Sequence, residues 1–371
     1  MYFDQEADME SSPGDRRILW LDILRSLAIS LVLLSHGRVF LLPLWEGFNV
    51  LKFGGFLGVE LFFVLSGYLI GGVILDTIDV AQGPFAWVRV FWLRRWLRTI
   101  PNYALFLVIN LTLLDFGIRH VDSPDLIRYA SFTQNLAWQH PPFFPEAWSL
   151  ATEEIFYLIT PLLITLVLLT GSTNKKAIVI VAFLVIAFSS LMRVLTVVQA
   201  NPTWDEGMRK ITLFRLDSLM IGVLLVMWGR SSFSQYLTRG ISFLFCLLLL
   251  PTLFFAVQPN SLLDQSWFAK VLLFPIASLG CAGLITVGLA VTVKGIARRV
   301  FETIARWSYS IYLVNLPVLS LLLLVMPPGN AVGVPPGLAW ISFIVITLVI
   351  SSLIYRYYES FFLRLRERFV L

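Results

Sequence analysis

Ten long apolar segments follow one another along the chain, and they constrain its fold more than any other feature. They lie near residues 18–40, 53–75, 100–117, 148–170, 176–198, 211–228, 241–257, 268–292, 306–326 and 337–357. About 20 apolar residues suffice for a helix to cross a bilayer, and a spanning helix satisfies its own backbone polar groups. We therefore predict an all-α fold, a polytopic transmembrane helical bundle of about ten spans.

The composition agrees with a membrane bundle and excludes a soluble globular domain. Hydrophobic residues make up 58% of the 371 residues and charged residues only 14%, whereas soluble domains average about 25% charged residues. We predict a polar cytoplasmic segment at residues 1–17 and one transmembrane domain at residues 18–371. Cys246 and Cys281 lie in apolar segments without metal-ligand spacing, so we expect neither a metal site nor a disulfide.

The distribution of lysine and arginine predicts that both termini are cytoplasmic. With the N-terminus inside, 18 of the 28 Lys and Arg residues fall in inner loops and termini, eight in outer segments, and Arg25 and Arg215 within spans. Positive residues concentrate on the cytoplasmic side of membrane proteins. We therefore expect a multi-pass protein of the cell (inner) membrane. The net charge of +5 reflects this topology, so membrane lipids are expected partners and nucleic acid is not.

Ionisable residues occur inside the predicted spans, where they are costly and usually functional. Arg25 and His36 are eleven residues apart in the first span, so they share one helix face at a separation of about 16 Å. Four spans carry ionisable residues at one depth in the outer third of the bilayer: His36, Glu60, Glu153 with Glu154, and Arg215 with Asp217. One interpretation of their shared depth is a structural network of ion pairs between the spans.

A histidine beside carboxylates suggests a catalytic interpretation of the same residues. A carboxylate that accepts a hydrogen bond from one imidazole nitrogen leaves the other nitrogen free to take a proton from a hydroxyl. We predict that His36 is the base and that Glu60 orients it. Glu153 is the second candidate for the orienting role.

Arginines at the predicted cytoplasmic face suggest an anion site. Arg95 and Arg98 lie in RRWLRTIPNY at the start of the third span, and Arg25 lies in the inner half of the first. Clustered arginines suit a phosphate-rich ligand, although arginines beside a span are often only topological anchors. The preceding segment, PFAWVRVFWLRRWLR, mixes aromatic residues with arginines and predicts a helix in the membrane interface.

Eight ordered segments resemble the acyltransferase-3 family of membrane O-acyltransferases over residues 18–368. They are LDILRSLAISLVLLSH, GVELFFVLSGYLI, RRWLRTIPNY, FTQNL, WSLATEEIFYLITPLL, FRLDSLMIG, SYSIYLVNLPVL and YRYYESFFLRLRERF. The resemblance implies transfer of an acyl group from cytoplasmic acyl-CoA, with acetyl-CoA the expected donor, to a hydroxyl of a carbohydrate or lipid-linked glycan. By motif, the implied functional positions are Arg25, His36, Glu60, Arg95, Arg98 and Glu153.

The chain departs from the family pattern at one position. Many relatives have a histidine where this chain has Asn315, in the segment YSIYLVNLP. An asparagine can form hydrogen bonds but cannot exchange a proton near neutral pH, so proton transfer is expected to depend on His36. Longer relatives carry an SGNH-type extracytoplasmic domain after the last span, and we expect this sequence, ending at Leu371, to lack it.

Other functions use the same residues. A proton-coupled transporter could employ His36, Glu60 and Glu153 as a relay, although no repeat of two halves is visible in the sequence. A membrane scaffold would leave the shared depth of the charges unexplained. For an enzyme, direct transfer and an acyl-imidazole intermediate on His36 both remain open, as do the acceptor and the acyl chain.

Overall fold

The computed structural model describes residues 18–80, 83, 85–118, 121–229, 235–289, 294–329 and 333–369. Helices and connecting loops make up this part of the chain, and it contains no β-strand. The predicted all-α class is therefore confirmed. The predicted cytoplasmic segment at residues 1–17 lies outside the described residues.

Fifteen α-helices are seen among the described residues. In chain order, α1 to α15 are Leu19–Gly37, Phe53–Val80, Ala86–Asp115, Leu126–Ala130, Ala147–Leu168, Asn174–Ala200, Leu216–Gly229, Gln235–Leu247, Leu249–Ala256, Asn260–Gln265, Trp267–Val271, Leu273–Val287, Ile296–Val325, Pro336–Ile354 and Ser360–Arg366. Short 3₁₀ helices at Arg38–Phe40, Glu46–Lys52 and Thr212–Phe214, and a π-helical turn at Asp205–Arg209, shape the loops at one end of the bundle.

Among the described residues, seven helical segments are long and apolar enough to cross a membrane. They are Leu19–Phe40, Glu46–Asp79, Ala86–Asp115, Ala147–Leu168, Asn174–Ala200, Ile296–Val325 and Pro336–Arg366. The other three predicted spans correspond to α7, α8 with α9, and α12, which are shorter helices within the described residues. The structure thus supports a multi-pass membrane protein, and it does not confirm ten spans or the side on which the termini lie.

Helix α2 lies at the centre of the bundle, where it packs against α1 and α7. A Cβ atom on Gly67 would lie 1.9 Å from the carbonyl oxygen of Leu219, and one on Gly222 would lie 2.2 Å from that of Val64. Only glycine permits such close contact between two helix backbones. This contact brings the polar side chains that flank α7 against α2.

Helix α3 runs without interruption from Ala86 to Asp115, with Pro101 inside it. The segment predicted to form a separate interfacial helix is therefore the first half of a long candidate span. Arg95 and Arg98 are one turn apart on this half, so their side chains lie on the same helix face.

Candidate functional site

Three of the arginines singled out in the sequence line one cavity between α1, α3, α5 and α13. We call it the arginine cavity; its walls include Arg25, Arg95, Arg98, Glu153 and Tyr157. It encloses about 820 Å³ of empty space, including the part open to solvent.

The arginine cavity carries an excess of positive charge. Among the described residues, Arg95 and Arg98 have no carboxylate within the 4 Å of an ion pair. The guanidinium of Arg95 instead lies 6.0 Å from the ring centre of Tyr157, whose hydroxyl donates to Glu153 Oε2 at 2.8 Å. Two arginines without an ion pair in one cavity favour an anionic ligand.

A second cavity lies at the other end of α1. We call it the histidine cavity; His36, Arg38, Lys52, Arg209 and Lys210 are among the residues that line it. Its empty space is about 920 Å³, again including the part open to solvent. Arg25 and His36 thus open into two different cavities, although they stand on one helix.

Asn315 is the hydrogen-bond partner of His36. The Nδ1 atom of His36 lies 2.6 Å from Asn315 Oδ1. The Nδ2 group of Asn315 donates to the carbonyl oxygens of Ile311 at 3.1 Å and Tyr312 at 2.6 Å. Because these carbonyls can only accept, the amide nitrogen must face them and its oxygen must face the histidine.

The orientation of Asn315 sets the tautomer of a neutral His36. An amide oxygen can only accept, so Nδ1 of the imidazole must carry the proton and Nε2 must carry the lone pair. Within the described part of the chain, no side chain or backbone group bonds Nε2. The side chain is half-buried and lines the cavity, so Nε2 can act as a base toward a ligand there.

The two cavities meet at Val59 and Tyr312, which line both. The Tyr312 hydroxyl lies 2.6 Å from Ser149 Oγ and donates to the Glu146 carbonyl oxygen at 3.3 Å. Asn315 follows Tyr312 by one helical turn on α13, so the junction and the partner of His36 belong to one helix. The arginines and the histidine therefore line two adjoining cavities.

The predicted pairing of Glu60 with His36 is wrong. Glu60 Oε2 accepts from Arg215 Nη2 in a buried ion pair, and Oε1 accepts from Ser218 Oγ at 2.7 Å and Ser278 Oγ at 2.6 Å. These bonds tie α2 to α7 and α12. Glu153, the second candidate partner, lies in the arginine cavity, so the shared depth seen in the sequence corresponds to separate sites.

A second buried ion pair stands beside the first. Arg193 Nη2 lies 2.7 Å from Asp217 Oδ2, and neither side chain is exposed. Arg193 lies on α6 and is fully buried. Its Nε also donates to the Val271 carbonyl oxygen at 3.1 Å. Arg215 and Asp217 can thus be buried because each forms an ion pair with a charged side chain of another helix.

We predict that Glu60→Ala destabilises the protein rather than blocking its chemistry. The substitution leaves the Arg215 guanidinium buried without its counter-charge, a change that typically costs about 3–5 kcal/mol. Thermal unfolding in detergent should show a clear fall in midpoint, while activity per folded molecule stays near wild type.

The double variant Glu60→Leu with Arg215→Leu is the control, because it removes both charges together. It should recover much of the lost stability. A Glu60→Ala protein with wild-type stability and greatly reduced activity would contradict a structural role for this pair.

Metal ligation finds no support in the residues the structure describes. They contain no group of three or more His, Cys, Asp and Glu side chains placed to hold a metal ion. The polar groups that line the two cavities include arginine, lysine, histidine, carboxylate and hydroxyl side chains.

An all-helical membrane bundle with an arginine-lined cavity joined to a histidine is consistent with a membrane transferase. Residues 18–356 match the acyltransferase-3 family model, described as an acyltransferase domain. The chain therefore belongs to the acyltransferase-3 family. No solved structure gives a significant match.

Curated relatives carry O-acetyltransferase names. A Staphylococcus aureus (strain COL) protein provisionally named an O-acetyltransferase is 26% identical over 93% of this chain and 57% of its own length. The peptidoglycan O-acetyltransferase OatA of Listeria monocytogenes is 33% identical over 42% of this chain and 25% of its own length. A Bacillus subtilis protein provisionally named a peptidoglycan O-acetyltransferase is 30% identical over 48% and 29%, respectively. The chain thus spans less than two thirds of these relatives.

Proposed function

We propose that the protein transfers an acyl group from acyl-CoA to a hydroxyl of a glycan or glycolipid. The expected acyl group is acetyl. The observation that carries this proposal is the junction of the two cavities at Val59 and Tyr312. A donor held in one cavity can present its thioester to an acceptor held in the other. The peptidoglycan names of two relatives support a cell-wall or envelope glycan as acceptor.

The arginine cavity is the proposed donor site. Coenzyme A carries several phosphate groups on a long, flexible arm that ends in the thioester. Arg25, Arg95 and Arg98 would bind the phosphates through charge-assisted hydrogen bonds, and the arm would extend toward Tyr312. Glu153 holds the Tyr157 hydroxyl, so its proposed role is to position the cavity wall beside Arg95. In the predicted topology this cavity opens to the cytoplasm, where acyl-CoA is made.

His36 is the proposed general base. Its Nε2 would take the proton of the acceptor hydroxyl while the hydroxyl oxygen attacks the carbonyl carbon of the thioester. The carbon–sulfur bond then breaks, and the departing thiolate takes the proton back from the imidazolium. Asn315 would hold the ring in the tautomer that this step needs. We thus propose that Asn315, and not Glu60 as the sequence predicted, orients the imidazole of His36.

The donor assignment predicts a specific kinetic effect for the arginines. Arg95→Gln and Arg98→Gln should each raise the KM for acetyl-CoA about tenfold or more and lower kcat much less, because a charge-assisted hydrogen bond is worth about 1.5–3 kcal/mol. Initial rates at varied acetyl-CoA, with purified protein in detergent, measure both constants.

Arg89→Gln is the matched control for these variants. Arg89 is exposed on the same helix and does not line the arginine cavity, so its removal should change neither constant. If all three variants behave alike, the arginines are anchors of the helix and the donor binds elsewhere.

A further inference from the structure

The histidine cavity carries more positive than negative charge. Four cationic side chains, Arg38, Lys52, Arg209 and Lys210, and two carboxylates, Asp205 and Glu146, line it together with His36. Two positive charges are therefore in excess beside the proposed base. Their distribution within the cavity decides what they can bind.

Two of the four cations are neutralised by neighbours on the same turn. Arg209 Nε lies 2.5 Å from Asp205 Oδ1, and Lys210 bonds Glu206 and lies 3.4 Å from Asp205 Oδ2. Burial opposes ionisation of Asp205, but Arg209 and Lys210 hold its pKa at about 2. The guanidinium of Arg209 also lies 4.9 Å from the Trp148 ring centre. These side chains form the wall of the cavity.

Arg38 and Lys52 are the two cations of this cavity that form no ion pair with a carboxylate among the described residues. Arg38 donates to the Ser35 carbonyl oxygen and, at 3.3 Å, to Asn49 Oδ1. Lys52 donates to the Gln258 carbonyl oxygen. No carboxylate of the described chain lies within 4 Å of either one. Neutral oxygens satisfy part of their hydrogen-bonding capacity and none of their charge.

Both cations line the same cavity as the histidine. Arg38 follows His36 by two residues, and Ser35 Oγ donates to the Lys52 carbonyl oxygen at 3.3 Å, which joins the Lys52 segment to the same end of α1. Both side chains are half-buried, so water screens them less than it screens fully exposed charges. A ligand whose hydroxyl reaches His36 has these cations within its immediate surroundings.

We propose that the acceptor is an acidic carbohydrate, with a carboxylate or phosphate group close to the hydroxyl that is acylated, and that Arg38 and Lys52 bind this group. This inference rests on the proposed function, since it concerns the acceptor of that reaction. The anionic group would hold the sugar with its hydroxyl at Nε2 of His36. A neutral sugar would leave both cations unpaired and bind more weakly.

The test compares sugars that differ only in charge. N-acetylmuramic acid and its methyl ester probe a carboxylate, and N-acetylglucosamine 1-phosphate and N-acetylglucosamine probe a phosphate. Saturation-transfer NMR with the full-length protein in detergent, without acyl donor, measures binding of each. At least one anionic sugar should bind about tenfold or more tightly than its neutral partner, because a hydrogen bond to a charged group typically exceeds the free energy of a tenfold change. The pair of sugars that shows this difference in binding identifies the anionic group as a carboxylate or a phosphate.

Variants locate the effect within the cavity. Arg38→Gln and Lys52→Gln should each weaken binding of the anionic sugar about tenfold and leave the neutral sugar unchanged, whereas Arg38→Lys and Lys52→Arg should retain most of the preference. Arg128→Gln, which removes an exposed cation outside the cavity, should have no effect. Equal binding of charged and neutral sugars by the wild type, or a preference that survives the double variant, would overturn the proposal.

The binding test separates this inference from the proposed function. Charge-dependent binding with no acyl transfer from acetyl-CoA would contradict the acyl-CoA mechanism and support the anion site. Transfer to neutral and acidic sugars with equal KM would support the mechanism and overturn the anion site.

Discussion

His36→Gln is expected to lower acyl transfer by about 10²- to 10⁴-fold, the usual contribution of a positioned acid–base group. Glutamine keeps a polar side chain of similar length but cannot take up a proton near neutral pH. The loss should appear in kcat at saturating acetyl-CoA, because the donor cavity lies elsewhere. Purified protein in detergent, labelled acetyl-CoA and an envelope glycan preparation suffice for the measurement.

His140→Gln is the matched control for this substitution. His140 lines neither cavity, so activity per folded molecule should stay near wild type. Residual activity of His36→Gln above about a tenth of wild type would contradict the assignment of the base.

Asn315→Leu is expected to lower kcat by about 10- to 100-fold, the range seen when the partner that orients a functional imidazole is removed. Leucine fills a similar volume but cannot accept the hydrogen bond from His36 Nδ1. In a His36→Gln background the same change should cost little more, since both residues act through one imidazole. Equal losses in the two backgrounds would show that Asn315 acts independently of His36.

Asn315→Asp separates orientation from general packing. Aspartate keeps an acceptor oxygen at the same position and adds a negative charge that stabilises the imidazolium. The second carboxylate oxygen meets the Ile311 and Tyr312 carbonyls, to which asparagine donates, so some activity should be lost. More activity should survive than in Asn315→Leu, and the acidic limb of the pH–rate profile should move to higher pH. An unchanged profile with reduced activity would indicate only a structural role for Asn315.

The sequence predicts the depth of the candidate side chains better than it predicts their partners. Arg25, Arg95 and Arg98 were expected at one face of the bundle because all three lie near one end of their spans, and the structure places them in one cavity. Depth along a helix follows from residue number at about 1.5 Å per residue. Residue number alone therefore places a side chain at a level in the bundle.

Which neighbour a side chain meets depends on how helices rotate and pack, and residue number does not give this. Glu60 and His36 were assigned to one level, but Glu60 faces α7 and pairs with Arg215, while His36 meets α13. The signal for the true partner was Asn315, the position that departs from the family pattern. Polar residues inside apolar spans are usually functional, and they pair with other polar groups.

The number of spans is also ambiguous from the sequence. Apolar composition does not distinguish a helix that crosses the bilayer from a helix that is buried within the protein. Helix α7 illustrates this, since Leu216–Gly229 is 14 residues long and most of its described side chains are buried. A helix buried on all sides is apolar all round, as a lipid-exposed span is.

Transfer across the joined cavities is the central claim, and inside-out membrane vesicles test it most directly. Vesicles from cells that express the protein expose the proposed donor face to the medium and enclose native glycans. Labelled acetyl-CoA, which does not cross the bilayer, is added outside, and label is followed into the luminal glycan fraction. We expect luminal label with wild type, little with Arg95→Gln at low acetyl-CoA, and none with His36→Gln. Label confined to the outer face, or luminal label equal in wild type and His36→Gln, would contradict this account.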